Sequence, residues 1–197
     1  MREAPVAVNL PNLITVARLL AVPLVVYLIA LHEYWFAFWV FVAAGVSDGL
    51  DGFIAKHYHQ ETELGRYLDP LADKALLVAI YVGLGVQEEI PLWLVIAVVS
   101  RDAFIVSAVT LSYMLSHPVH IRPLMVSKAN TTAQIVFAAV ALGDLAFTLD
   151  VGQLRDLLVF LVAALTGLSG LAYFLVWIQH MATEPAEPGD RGGQDEA

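Results

Sequence analysis

Six long apolar runs separated by short polar breaks organise this chain. They fall at 13–31, 35–56, 67–86, 91–114, 124–148 and 154–180. A helix takes about 20 residues to cross the hydrocarbon core of a bilayer, and each run is close to or beyond that length. The pattern therefore predicts an all-α, polytopic membrane protein with six transmembrane helices. The first run carries Arg18, outlasts the apolar core of a signal peptide and ends without a small-x-small site. A cleavable signal is not expected there.

The polar breaks give the runs a direction. Those near 32–34 and 87–90 hold no Lys or Arg, and the break between the fifth and sixth runs holds only Arg155. Arg2, Lys56, Arg66, Arg122, Lys128 and Arg191 all fall on the other side. Positively charged loops stay in the cytoplasm, so that side is expected to be cytoplasmic. Tyr34, Trp35 and Trp93 sit at the opposite ends, where interfacial aromatics belong.

Composition sharpens this reading. Hydrophobic residues make up 59% of the 197, against about 45–50% in soluble domains. Residues 1–181 read as one membrane domain. The formal charge of −9 is concentrated partly in residues 182–197, ATEPAEPGDRGGQDEA, which read as a disordered acidic tail. No basic patch points to nucleic acid. The absence of cysteine excludes disulfides and thiol catalysis. Ala163 with Gly167, and Thr166 with Gly170, allow close helix packing, within one chain or between two.

The second and third runs meet at DGLDGFIAKHYHQETELGRYLDPLADK, Asp48 to Lys74. Asp48 and Asp51 are spaced i, i+3; Asp69 and Asp73 are spaced i, i+4. Each pair shares one helix face. A hairpin with its loop around 57–64 would bring the pairs together at the cytoplasmic end. Four converging carboxylates repel one another and need compensation. Lys56, Arg66 and Lys74 supply some, and divalent cations would supply more. Oxygen-only ligation favours Mg2+, Mn2+ or Ca2+, and two such ions can clamp a pyrophosphate. Gly52 and Ala55 leave the helix bare beside the carboxylates, and Gly65 precedes the third run where the chain turns. The competing reading is a set of solvated interfacial charges and helix caps.

The spacing Asp48-x2-Asp51-Gly52-x2-Ala55-Lys56-x8-Gly65-x3-Asp69-x3-Asp73 resembles the signature of the CDP-alcohol phosphotransferases. One position departs: the family has Arg where this chain has Lys56, which keeps the charge and loses the planar fork for phosphate. The resemblance implies a six-helix membrane enzyme, often a homodimer. It implies transfer of a substituted phosphoryl group from a CDP-linked donor to an alcohol, with release of CMP. It implies two divalent cations, Mg2+ or Mn2+, on Asp48, Asp51, Asp69 and Asp73, with Asp73 also the general base. Gly52, Ala55, Lys56 and Gly65 would belong to the CDP site.

Three further stretches bear on the acceptor. Asn12, Thr15 and Arg18 recur roughly along one helix face in NLPNLITVARLL, which resembles the opening of bacterial phosphatidyl transferases. Arg18 calls for a phosphate or carboxylate partner, or for snorkelling to the inner interface. Arg101 and Asp102 sit midway along the fourth run. Arg101 either reaches an acceptor phosphate or pairs within the bundle. Ser127, Lys128, Asn130 and Thr131 form a polar cluster opening the fifth run. Glycerol-phosphate transferases of the family show Gly-Lys-x-Lys-Thr there, whereas this chain has Ser127-Lys128-Ala129-Asn130-Thr131. That cluster and Ser100-Arg101-Asp102 resemble the cardiolipin-forming branch. The implied partners are CDP-diacylglycerol and a lipid alcohol, phosphatidylglycerol, with glycerol 3-phosphate the alternative acceptor. The expected location is a bacterial inner membrane, or alternatively a mitochondrial one. His57, His59, His117 and His120 read as solvated loop residues, and Ser127 has no triad signature. A divalent-cation transporter is the non-enzyme alternative, but its polar groups would follow a pathway rather than gather at one depth.

Overall fold

The computed structural model describes residues 10–58, 63–114 and 125–182. Of the tail expected at 182–197, Ala182 ends the last helix and 183–197 lie outside the described residues, as do Arg2, His59, His117, His120, Arg122 and Arg191; His57, expected in a loop, falls in the second helix instead. Within them the chain is all-α: α1 Leu10–Ala30, α2 Tyr34–Tyr58, α3 Glu63–Val86, α4 Leu92–Met114, α5 Met125–Phe147 and α6 Gly152–Ala182. Each expected run becomes one helix. The third begins earlier than expected, at Glu63, so Gly65 lies within the first turn of α3 rather than in the turn before it. Residues 125–147 and 152–176 are long and apolar enough to cross a membrane.

α1 packs on α2 and α3, α5 packs on α2 and α6, and α4 packs on α6 and α3. The shared core includes Val25, Ile29, Ile80, Tyr81, Leu94, Phe137 and Val162. Around it the usual polarity is reversed. Leu20, Ile96, Leu157 and Phe160 face outward, while Thr15, Arg18, Arg101, Asn130, Gln134 and Ser169 are buried. Burying polar groups is tolerable when they pair, and most of these do.

Two helix ends close in the same way. His32 N–H donates to Ile29 O and Glu33 N–H to Leu28 O; Glu88 N–H donates to Gly85 O and Glu89 N–H to Leu84 O. His32 and Glu88 take positive φ angles of 59° and 60°, the left-handed conformation that this type of cap requires.

Small residues let α3 approach its neighbours. A Cβ on Gly85 would lie 2.7 Å from Val95 Cγ2 on α4, and a β-branched Val at χ1 has little room to yield. Gly85→Ala should therefore destabilise the bundle by about 1–3 kcal/mol, the usual cost of overpacking. Thermal unfolding in detergent checks this; an unchanged midpoint would show that the α3–α4 contact adapts freely.

Candidate active site

The site forms where α1 begins, α2 ends and α3 begins. Arg18, in the second half-dozen residues of α1, turns inward rather than snorkelling; its side chain is only 2% exposed. Its guanidinium reaches two helices at once. Nη2 meets Asp48 Oδ1 on α2 at 2.9 Å, and Nη1 donates to Asp73 Oδ1 on α3. The partner of Arg18 is thus a pair of carboxylates. One planar fork serving two acceptors explains why a guanidinium suits this position better than an ammonium. Asp48 and Asp73 remain about half exposed, at 48% and 44%. Both line a cavity of about 150 Å3, together with Arg18, Gly45, Lys74 and Thr131.

Asp48 and Asp73 are the two signature aspartates whose side chains are described. Asp51 lies on α2 and Asp69 on α3; their side chains are outside the described set, as are those of Asn12, Ala55 and Lys56 and the surroundings of Gly52 and Gly65. Among the described residues, Asp48 on α2 and Asp73 on α3 are brought together through Arg18 on α1. Asp48 and Asp73 offer carboxylate oxygens, the donor type that a hard divalent cation takes, half open to a cavity.

A second polar centre adjoins the first. Arg101 on α4 is buried and pairs within the bundle. Nη1 donates to Asp102 Oδ1 at 2.7 Å, and Nη2 donates to Ser127 Oγ on α5 at 2.6 Å and to Ser169 Oγ on α6. Its guanidinium also lies 5.8 Å from the Tyr173 ring centroid, within reach of a cation–π contact. The other Asp102 oxygen accepts from Lys74 Nζ at 2.6 Å. A cavity of about 530 Å3 lies beside this network, lined by Lys74, Arg101, Asp102, Ser127 and Thr131 with apolar walls from α3 and α4. Lys74 and Thr131 line both cavities, so the two share a wall.

The polar cluster opening α5 is divided by helical geometry. Ser127 and Thr131, spaced i, i+4, face the second cavity. Lys128 is exposed. Asn130 is fully buried and turned toward α6, where its Oδ1 accepts from Thr166 Oγ1 at 3.0 Å. Thr15 is buried on α1. Sequence reasoning missed Ser169 and Thr166, noticing the latter only as a small residue. It also missed the Lys74–Asp102 bridge, although both charges were visible within apolar runs. Among the described residues, Arg18 Nε, Arg101 Nε, Asn130 Nδ2 and both amide atoms of Gln134 are buried without a hydrogen-bond partner.

A cavity of about 770 Å3 lies at the other end of the bundle and is lined by Glu88, Glu89, Arg155 and Asp156. Arg155 there sits 3.6 Å from both Glu89 and Asp144. Size does not make it the chemical centre: the aspartate pairs and the buried Arg residues are at the opposite end.

Residues 8–183 match the family model described as CDP-alcohol phosphatidyltransferase. The chain is 32% identical over 180 residues to the cardiolipin synthase (CMP-forming) / mitochondrial hydrolase fusion protein of Schizosaccharomyces pombe, covering 84% of this chain and 30% of that protein. It is 31% identical over 182 residues to the cardiolipin synthase (CMP-forming) of Rattus norvegicus, covering 84% and 60%. It is also 31% identical over 182 residues to the CDP-diacylglycerol–glycerol-3-phosphate 3-phosphatidyltransferase of Bacillus subtilis, covering 84% and 93%. The chain thus spans less than two thirds of the length of the first two relatives and nearly all of the third.

Proposed function

The chain belongs to the CDP-alcohol phosphatidyltransferase family, and we propose that it transfers a phosphatidyl group from CDP-diacylglycerol to phosphatidylglycerol, giving cardiolipin and CMP. The observation that carries this reading is the pair of cavities sharing Lys74 and Thr131. One presents Asp48 and Asp73. The other presents Arg101 and Ser127 against apolar walls, an environment for an anionic lipid headgroup with its glycerol hydroxyl directed at the shared wall.

In the proposed reaction the acceptor hydroxyl oxygen attacks the phosphorus bearing the diacylglycerol. A new P–O bond forms, and the bond from that phosphorus to the diphosphate bridging oxygen breaks. CMP leaves with the electron pair, and Asp73 takes the hydroxyl proton. Arg18 orients Asp73 across from Asp48. Arg101, fixed by Ser127 and Ser169, supplies positive charge to the acceptor phosphate. Asp48, Asp51, Asp69 and Asp73 would hold two divalent cations, Mg2+ or Mn2+, which neutralise the diphosphate and stabilise the charge that develops on the departing oxygen. On this reading Gly52, Ala55, Lys56 and Gly65 contribute to the CDP site.

The proposal includes six membrane-spanning helices with the site facing the cytoplasm of a bacterial cell, and a homodimer as the acting unit. Helices of 21 to 31 residues support the spans, as does an exterior rich in exposed Leu, Phe and Trp. The Lys and Arg distribution supports the orientation.

A second reading has one observation in its favour. The Bacillus relative, of which this chain covers nearly the whole length, is named for glycerol 3-phosphate. Competition separates the two. Purified protein in vesicles receives CDP-diacylglycerol, Mg2+, phosphatidylglycerol and glycerol 3-phosphate together, and products are identified by mass spectrometry. Cardiolipin with stoichiometric CMP is expected. Phosphatidylglycerophosphate alone would overturn the acceptor assignment, and cation flux without CMP release would overturn the enzymatic one.

A further inference from the structure

The larger of the two adjoining cavities has three charged lining residues among those described: Lys74, Arg101 and Asp102. Two cations and one carboxylate leave a formal charge of +1. The carboxylate is not a bystander. It gives one oxygen to each cation, at 2.6 Å and 2.7 Å, from a side chain only 11% exposed. Solvent screens such a group weakly, so its charge is felt across the cavity. The two possible acceptors differ in charge. A phosphodiester carries one negative charge, whereas a phosphomonoester is close to two at neutral pH. A net +1 balances the diester and leaves the monoester with an uncompensated negative charge beside a buried carboxylate.

Resting on the phosphatidylglycerol reading, we propose that Asp102 is a specificity-determining residue: by cancelling one of the two cavity cations it selects a monoanionic phosphodiester acceptor against a dianionic phosphomonoester. Asp102 takes no part in the bond changes. It acts through Lys74 and Arg101, holding both cations and reducing their combined charge. The neutral hydroxyls of Ser127 and Thr131, which line the same cavity, can donate to either acceptor and do not discriminate by charge.

The test measures the ratio of kcat/KM for phosphatidylglycerol to that for glycerol 3-phosphate, with CDP-diacylglycerol and Mg2+ in vesicles of neutral lipid. Asp102→Asn leaves the cavity at +2 and should lower the ratio by at least about tenfold, whatever happens to the total rate. Asp102→Glu keeps the charge and should stay within about threefold of the wild-type ratio. The double variant Asp102→Asn/Lys74→Gln returns the cavity to +1 and should recover the ratio, a recovery that a purely structural pin would not give. If Asp102→Asn does not fold, Lys74→Gln alone, at formal charge zero, should raise the ratio instead. A wild-type protein that makes cardiolipin, combined with an unchanged ratio in the charge variants, overturns this inference and leaves the acceptor reading intact. A wild-type protein that uses only glycerol 3-phosphate overturns both.

Discussion

Asp73→Asn should slow CMP release by at least about 10²-fold, the lower range for losing a general base. Asn nearly matches the shape of Asp and keeps an oxygen that can accept from Arg18, so the bridge to α1 survives in part. What it loses is the capacity to take the acceptor proton. Asp73 suits that role by position: it is held by Arg18, yet remains 44% exposed in the cavity that adjoins Arg101 and Ser127. Asp69 is one turn earlier on α3, and Asp69→Asn should instead weaken cation and donor binding together. The measurement pairs turnover with Mg2+-dependent binding of CDP-diacylglycerol for both variants. Should Asp73→Asn lose donor binding as severely as Asp69→Asn, Asp73 is chiefly a ligand, and the base must be sought elsewhere.

Arg18→Met should reduce both stability and turnover. Removing one member of a fully buried ion pair costs about 3–5 kcal/mol. Here the cation is buried while both carboxylates are about half exposed, so water recovers part of their solvation and about 1–3 kcal/mol is expected. Without Arg18, Asp48 and Asp73 repel across the α2–α3 junction, and turnover should fall by about 10- to 100-fold through misplacement of the carboxylates. Arg18→Lys keeps the charge and loses the two-pronged contact, so it should fall between. Thermal unfolding in detergent and CMP release give the two readouts. A Met variant that melts at the wild-type temperature and turns over within about twofold of it would show that the bridge contributes nothing.

The six helices were legible because each needs only its own sequence. A sustained apolar run of bilayer length specifies a helix and its approximate ends, and α2, α4 and α5 begin within one residue of the expected runs. The shared face of Asp48 with Asp51, and of Asp69 with Asp73, follows from helical periodicity. The start of α3 was less legible. Gly65 reads as a turn residue, yet the helix already includes it from Glu63. A single glycine costs a helix only about 1 kcal/mol relative to alanine, too little by itself to fix where the helix starts.

By itself, then, the sequence determined an all-α chain with apolar helices and two acidic pairs on adjoining elements, and its signature led to the family that the match over residues 8–183 shows. Partners were beyond its reach. Periodicity says which side of a helix a residue occupies, but not which helix lies opposite. Arg18 was equally compatible with a phosphate, a carboxylate or the interface until α1 was seen against α2 and α3. Asp102 showed its neighbour Arg101 but not Lys74, which is 28 positions away and comes within 2.6 Å only through the packing of α3 beside α4. Asn130 and Ser127 look alike in a polar cluster. Three residues of helical rotation send one to Thr166 on α6 and the other to the cavity. In a low-dielectric interior each buried charge must find a counterpart, and the tertiary arrangement alone decides which counterpart is within reach.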